Sequence, residues 1–286
     1  MLKKLIKYDL KDLFSITWIF YLLILTTSIL LFIFNQYELD KKYMYLNGIY
    51  GVIGLSLIIL LILLLGFVIY KIENRFNKNI YSDEGYLTNT LPISQSKLYF
   101  SKILSSIIFL FSSEAIITIS YSIGLAYIFT KFSCFNNLGN ACSLSLIESL
   151  IQDYSYLLNI NPILVLILFL LFIFFEVLMI ILSGYNGIIK NYLNNTPKKI
   201  KSVIYSILFY LLSSLVILFI IYIVSKINPD ISKVLSMKPS EINNNIIIYK
   251  KAIKTIFSIV LLSSIGINIL LIFNGNRLFN KGINLE

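Results

Sequence analysis

The sequence predicts an all-α integral membrane protein, and three observations lead to that prediction. Of the 286 residues, 58% are hydrophobic and only 13% are charged. A soluble domain carries about 45–50% apolar and about 25% charged residues, so water could not hold the surface of this chain. The apolar residues also lie in long runs, several of which reach the roughly 20 residues that cross a bilayer as a helix. We therefore expect a single transmembrane domain over residues 1–286.

Six apolar runs are predicted to be membrane-spanning helices. They cover residues 16–34, 48–70, 103–129, 162–183, 202–225 and 252–273. The first run is too long for the apolar core of a cleaved signal peptide, which has about 7–15 residues, and no A-x-A-like cleavage site follows it. We therefore expect this run to remain as the first span.

Lys and Arg are distributed unevenly between the segments that flank these runs. The N-terminus, the loops at 71–102 and 184–201 and the C-terminal tail hold 15 of them, whereas the three intervening segments hold nine. Because positive residues concentrate on the cytoplasmic side of a membrane, both termini and both loops are predicted to be cytoplasmic. This topology also explains the net charge of +10. We expect the lipid bilayer, and no nucleic acid, as the partner of that charge.

The residue types that are missing or rare exclude several classes of site. The chain contains no His, which removes His-dependent metal sites and the Ser-His-Asp triad. Its two cysteines, Cys134 and Cys142, are too few for a thiolate metal cluster. They lie eight positions apart in a predicted outer loop, where a disulfide is compatible with the redox conditions and free or buried thiols are as well. No metal site and no catalytic residue is expected.

The first 15 residues are predicted to form an amphipathic helix in the cytoplasmic interface. One face of that helix carries apolar residues at three- and four-residue intervals, and the other carries mainly lysines, which can approach anionic headgroups. The apolar residues are Leu2, Leu5, Ile6, Leu10, Leu13 and Phe14. The polar residues are Lys3, Lys4, Lys7, Lys11 and Asp12. The helix is either a topogenic anchor or a lever that transmits motion into the first span.

The loop between the second and third spans is the most informative segment. Ser82 can cap a short helix, and Asp83 and Glu84 then lie in its first turn, where the helix dipole favours carboxylates. Pro92 disfavours helical geometry at Leu91 and ends the segment. A short helix with an acidic first turn is therefore predicted between two long helices at the cytoplasmic face.

The same loop offers apolar residues to a partner. Tyr86, Leu87 and Leu91 could form a contact surface, and Ser94 can cap the helix that continues into the third span. A docking element would use such a surface, whereas a well-capped surface loop would gain little from it. The loop is therefore either a docking element or a well-capped surface loop.

This loop closely resembles the corresponding loop of bacterial type-2 ABC exporter permeases. Those proteins carry the pattern E-G-Y-L…T-L-P-(I/V)-S…K…S-K between spans 2 and 3, and here it runs from Glu84 to Lys102. The resemblance implies that residues 82–92 form a coupling helix that docks on a separate ATPase subunit. The docking residues it implies are Asp83, Glu84, Gly85, Tyr86, Leu87, Thr90, Leu91 and Pro92.

Several further expectations follow from this resemblance. It implies a permease subunit in the cytoplasmic membrane of a bacterium, which exports a peptide, a drug or another amphiphile. Two copies of the ATPase subunit and a second permease chain, identical or different, would be its partners. The resemblance also implies short re-entrant helices within residues 226–251.

The chain is not expected to hydrolyse ATP itself. It contains no G-x-x-x-x-G-K-[ST] sequence, whose backbone would cradle the nucleotide phosphates. ATP and Mg²⁺ would therefore be used by the partner subunit, and no cofactor is expected on this chain. We therefore expect that the chain itself is not an enzyme.

Two carboxylates fall within predicted spans, Glu114 in the third and Glu176 in the fourth. An ionised carboxylate at the bilayer centre costs several kcal/mol, so each should face protein or water. Each is either a protonated or hydrogen-bonded packing residue, or a polar point on a substrate path. The alternative function that they suggest is a stand-alone secondary carrier or channel. A membrane-embedded binding or scaffold protein is a third possibility.

Overall fold

The computed structural model describes residues 2–36, 44–82, 84–85, 88, 90, 92–120, 122–123, 162–193, 199–236 and 246–281. Within these ranges the chain is almost entirely helical and contains no strand. The helices are α1 (Leu2–Gln36), α2 (Met44–Tyr81), α3 (Gln95–Ser120), α4 (Pro162–Tyr192), α5 (Lys199–Ile227), α6 (Pro229–Ser236) and α7 (Ile246–Phe279).

Helices α1 to α5 and α7 are each long and apolar enough to cross a membrane. Each contains at least 26 residues and a window of 18 residues whose mean hydropathy is 1.9 or more. A helix suits this role because hydrocarbon offers no partner to backbone N–H and C=O groups, which must therefore pair within the segment. The predicted fold class, all-α with six membrane-spanning helices, is confirmed. The chain is a multi-pass membrane protein.

The helices extend beyond the apolar runs that predicted them. Five runs lie wholly within a helix; the third, predicted over residues 103–129, lies in α3 as far as Ser120, and residues 124–129 are outside the described residues. The extension is largest in α1, which starts at Leu2 although its apolar run starts at residue 16. The polar N-terminal flank of α1 continues the helix because it contains good helix formers, such as Lys and Leu, and no Pro or Gly.

The N-terminal amphipathic segment is continuous with the first span and is not a separate interfacial helix. Its two predicted faces are confirmed, since the lysines are exposed and the apolar face is buried or half-buried. One buried stripe then continues through the whole of α1 at intervals of three and four residues, the spacing of one helix face. Its members are Asp9, Leu13, Thr17, Tyr21, Ile24, Ser28 and Leu31.

The helices pack into two compact units. The described residues up to Arg75, together with those from Ser101 to residue 123, form the first unit. The described residues from Phe76 to Phe100, together with those from 162 onward, form the second. In the first unit, Leu31 of α1 and Leu57 of α2 are fully buried against each other. In the second unit, α4 packs against α5 and α7, and α6 packs against α7.

Buried amide side chains join α4 to α7 within the second unit. The Asn186 side chain donates a hydrogen bond of 3.0 Å to the carbonyl of Leu271. In the other direction, the Asn268 side chain donates a hydrogen bond of 3.0 Å to the carbonyl of Phe175. Polar side chains between membrane helices bond across the interface because the surrounding hydrocarbon offers them no partner. These two bonds link α4 and α7 at two separate levels.

The short helix α6 lies in the segment where the resemblance implies short helices. Asn228 caps it, because its side-chain oxygen accepts a hydrogen bond of 3.0 Å from the backbone N–H of Asp230. Pro229 occupies the first helical position, where a missing N–H costs nothing. An ion pair of 3.1 Å between Lys251 and Asp230 connects α6 to α7. Whether α6 re-enters the membrane stays a prediction.

Candidate functional site

The loop that joins α2 to α3 carries the residues implicated in docking. Glu84, Thr90 and Pro92 are exposed, and Gly85 is buried. Glu84, Gly85 and Thr88 have helical geometry. The neighbouring residues Asp83, Tyr86, Leu87, Asn89 and Leu91 lie outside the described residues. The short helix as a whole therefore stays a prediction. Ser94 directly precedes α3, and its carbonyl accepts the first helical hydrogen bond, from Leu98 at 3.1 Å, as expected of a cap.

The described part of this loop folds back onto the end of α2. The N–H of Gly85 donates a hydrogen bond of 2.6 Å to the carbonyl of Ser82. The Thr88 hydroxyl donates a shared hydrogen bond to the carbonyls of Asn79 and Gly85. The Ser82 hydroxyl donates to the carbonyl of Lys78 in α2. The Ser82 hydroxyl therefore pairs with the last turn of α2, and the Ser82 carbonyl accepts the hydrogen bond of the turn that follows.

Gly85 is required by the close approach of the loop to α2. A Cβ atom at this position would overlap the backbone carbonyl of Ile80. That carbonyl belongs to a helix and cannot rotate away, so no other residue fits here without moving the loop. The sequence pattern contains a glycine at the point where the loop touches the helix.

Aromatic side chains from the helix ends next to the loop pack on one another. The rings of Phe76 and Tyr185 are stacked with centroids 3.9 Å apart, and those of Tyr81 and Tyr192 are stacked at 4.1 Å. We call this cluster the aromatic base; it consists of Phe76, Tyr81, Tyr99, Tyr185, Tyr192 and Phe279. Aromatic pairs add about 0.5–1.5 kcal/mol each beyond the area that they bury. The base joins the ends of α2, α4 and α7 to the start of α3.

Tyr99 is a fully buried member of the aromatic base. Its ring is 6.4 Å from that of Phe76 and 5.6 Å from that of Phe279. Its hydroxyl lies directly against Gly275 of α7 and has no hydrogen-bond partner among the described residues. Beside it, Ser96 and Asn280 exchange hydrogen bonds of 3.0 and 3.2 Å, which tie the start of α3 to the end of α7.

A cluster of charged residues lies in the first unit. Lys102 donates hydrogen bonds of 2.8 and 2.7 Å to the two carboxylate oxygens of Asp9, and both side chains are only 3% exposed. The Nε atom of Arg75 lies 3.6 Å from Asp9 and 3.3 Å from Asp12. Burial of such charges is tolerated only when they are paired and hydrogen-bonded. The ion cluster, formed by Asp9, Asp12, Arg75 and Lys102, thus connects α1 to α2 and α3.

Sequence reasoning missed this ion cluster. It treated Lys102 only as the last residue of the loop pattern, and it assigned no role to Asp9 or Arg75. One signal was present, because Asp9 interrupts the apolar face of α1 four residues before Leu13. A charge on the buried face of an amphipathic helix needs a partner.

The intramembrane carboxylates belong to different units. Glu114 is half-buried in α3 of the first unit, and its Oε1 atom is buried with no hydrogen-bond partner among the described residues. Glu176 is half-buried in α4 of the second unit. Cys134 and Cys142 lie outside the described residues, so their pairing stays a prediction. In the described ranges, no group of three or more Asp, Glu or Cys is placed to hold a metal ion.

Comparison with known proteins finds no match among family models, curated proteins or solved structures. The function must therefore be argued from the loop pattern and from the geometry of the chain itself.

Proposed function

We propose that this chain is the permease subunit of an ATP-driven ABC exporter in the cytoplasmic membrane of a bacterium. Its cargo would be a peptide, a drug or another amphiphilic molecule. A separate ATPase subunit, present in two copies, binds and hydrolyses ATP and docks on residues 82–92. A second permease chain completes the path.

One observation carries this proposal: the described part of the loop that bears the pattern is bonded to the end of α2. A docking element can move a transport path only if force on the loop reaches the helices without being lost in loop motion. Gly85 and Thr88 hold the loop on the end of α2 through backbone carbonyls. The aromatic base then joins that end of α2 to α3, α4 and α7.

The exposed side of the loop supports the same interpretation. Glu84, Thr90 and Pro92 face outward, while Gly85 faces the protein. Glu84 places an exposed carboxylate in the first turn of the predicted short helix, where the helix dipole favours negative charge.

The first experiment is gentle purification of the tagged chain from its native membrane, followed by identification of the chains that accompany it. The proposal expects a stoichiometric subunit that carries a G-x-x-x-x-G-K-[ST] motif. It also expects that subunit to be lost when Tyr86 and Leu87 are both changed to Ala. A chain that purifies alone, from membranes without ATP-dependent activity, would contradict the proposal.

A second experiment separates docking from folding. The Glu84→Lys variant should insert normally but weaken capture of the ATPase subunit and uncouple its ATP hydrolysis from transport. Lys254→Glu is the matched control. Lys254 is also exposed, but it lies near the start of α7, whereas the end of α7 joins the aromatic base beside the loop. Equal loss of coupling in both variants would show that charge reversal, and not the docking loop, is responsible.

The state of Glu114 favours a second candidate, a stand-alone secondary carrier. Its Oε1 atom is buried without a hydrogen-bond partner among the described residues, as in a carboxyl group that takes up and releases protons. This candidate expects transport driven by a proton gradient in vesicles that contain only this chain. It also expects Glu114→Gln to abolish that transport, and Glu176→Gln to impair it.

A further inference from the structure

An apolar groove lies between α1 and α2 in the first unit, away from the docking loop. Its volume is about 560 Å³, which is within the usual range of ligand sites. The residues that line it are Phe20, Ile62, Leu63, Gly66, Phe67 and Tyr70. Ile62 and Tyr70 are each more than 60% exposed, so the groove opens to the outside of the helix pair.

Gly66 creates the concave shape of this groove. A Cβ atom built on Gly66 has no described atom within 4 Å, so the missing side chain leaves open space. The rings of Phe20 and Phe67, with centroids 4.8 Å apart, form the floor. A groove with an aliphatic and aromatic lining and a single glycine gap suits a slender apolar chain.

A positively charged side chain lies at one end of the groove. The ammonium group of Lys71 lies 5.9 Å from the centre of the Phe67 ring and donates a hydrogen bond of 3.3 Å to the Ser15 hydroxyl. Asp12, the nearby acidic residue of α1, is in contact with Arg75 at 3.3 Å. The exposed Lys11 lies one turn before Ser15 on α1 and adds positive charge at the same end.

The length of the groove matches one leaflet of a bilayer. Lys71 lies nine positions after Ile62, which at 1.5 Å rise per residue corresponds to about 13.5 Å. Half of the roughly 30 Å hydrocarbon core is about 15 Å. An acyl chain that starts at a headgroup beside Lys71 would therefore end near Ile62, at the middle of the membrane.

We propose that this groove binds one acyl chain of an anionic phospholipid, whose phosphate is held by the ammonium group of Lys71. The Ser15 hydroxyl positions that ammonium group, since it accepts a hydrogen bond from Lys71 and donates its own hydrogen to the carbonyl of Asp12 at 2.7 Å. The positive charge at the groove end selects an anionic headgroup, and the glycine gap accepts the chain. The proposal does not depend on the transport function.

A Trp at the rim of the groove provides the measurement: Tyr70→Trp places it among the lining residues, and Trp18→Phe removes the single Trp of the chain. The full chain is placed in phosphatidylcholine vesicles that contain dibrominated phosphatidylglycerol or, in parallel, dibrominated phosphatidylcholine. Bromine atoms quench Trp fluorescence at short range, so the quenching reports which lipid occupies the neighbourhood. We expect the anionic lipid to be preferred about fivefold, the effect of about one Lys near a membrane surface.

Two pairs of variants test the assignment. Lys71→Gln should abolish the preference, and the control Lys78→Gln, in an exposed Lys of the same helix, should keep it. Gly66→Leu should fill the groove and reduce quenching by both lipids, whereas Gly266→Leu, at another glycine with open space around it, should not. Circular dichroism checks that all four variants keep their helical content.

Three outcomes would overturn the proposal. Equal quenching of the parent chain by both lipids would remove the headgroup preference. Equal loss of preference in Lys71→Gln and Lys78→Gln would show that general surface charge, and not Lys71, attracts the anionic lipid. Unchanged quenching in Gly66→Leu would show that the groove does not hold the acyl chain.

Discussion

Lys102 and Asp9 form a buried, two-pronged ion pair between α3 and α1, with both N–O distances below 2.9 Å. The pair fixes the amphipathic start of α1 to the helix that follows the docking loop. Asp9→Asn removes the carboxylate that pairs with the buried Lys102, and Lys102→Met leaves Asp9 with the longer contact of 3.6 Å to Arg75. Because that loss costs about 3–5 kcal/mol, each variant should unfold at a clearly lower temperature in detergent.

The Asp9–Lys102 prediction has a matched control in Lys11→Gln, at an exposed Lys two residues further along α1. Its unfolding temperature should not change. The double variant Asp9→Asn with Lys102→Met removes both charges and should recover part of the loss. Similar unfolding temperatures for Lys102→Met and Lys11→Gln would contradict the importance of the pair.

Gly275 should tolerate no side chain while Tyr99 keeps its hydroxyl. A Cβ atom on Gly275 would overlap that hydroxyl, so Gly275→Ala should lower stability by about 1–3 kcal/mol, as overpacking does. Tyr99→Phe alone should cost little, because the hydroxyl has no hydrogen-bond partner among the described residues. Combined with Gly275→Ala, it should restore part of the stability in thermal unfolding. If the double variant is no more stable than Gly275→Ala, overlap with the Tyr99 hydroxyl is not the cause of the lost stability.

Gly187 should be needed for the close packing of α4 on α5. Its Cβ atom would overlap both the side chain and the backbone of Ser206, and the backbone cannot give way. Gly187→Ala should therefore separate the helices and lower the unfolding temperature in detergent. Gly266→Ala, where no described atom lies within 4 Å of the new Cβ, should be neutral or stabilising by up to about 1 kcal/mol, since Ala favours helices over Gly. A lower unfolding temperature for Gly266→Ala than for Gly187→Ala would refute this account.

Loss of the aromatic base should loosen the docking loop. Phe76→Ala removes the ring that stacks on Tyr185 and contacts Tyr99. We expect faster cleavage after the exposed Glu84 by a Glu-specific protease, measured by mass spectrometry of the fragments. Phe273→Ala is the control, because that ring is 64% exposed in α7 and supports no packed cluster among the described residues. Equal cleavage rates in the two variants would indicate that the loop does not depend on the base.

The six spans could be predicted because length and hydropathy alone decide whether a helix can cross a bilayer. The extension of α2 and α4 beyond their apolar runs could not, since polar residues can continue a helix and hydropathy does not mark its end. The two faces of the amphipathic segment were predictable from spacing, but its attachment to the first span required the structure.

The partners of the charged and aromatic residues were beyond the sequence for a different reason. Asp9 and Lys102 are 93 positions apart, and their contact depends on how α1 packs in the first unit. Tyr81 and Tyr192 likewise stack only because two distant helix ends meet. The loop pattern indicated a docking element, and the way that Gly85 rests on α2 explains one residue of that pattern.

The two amide hydrogen bonds between α4 and α7 restrict how these helices can move. Their anchor points on α4, Phe175 and Asn186, are 11 residues apart, which corresponds to about 16 Å along the helix. Sliding α7 along α4 by one turn would break both bonds at once. On α7 the anchor points, Asn268 and Leu271, are only three residues apart, so one turn of α7 is held at two places on α4. The two bonds therefore fix the register of this helix pair.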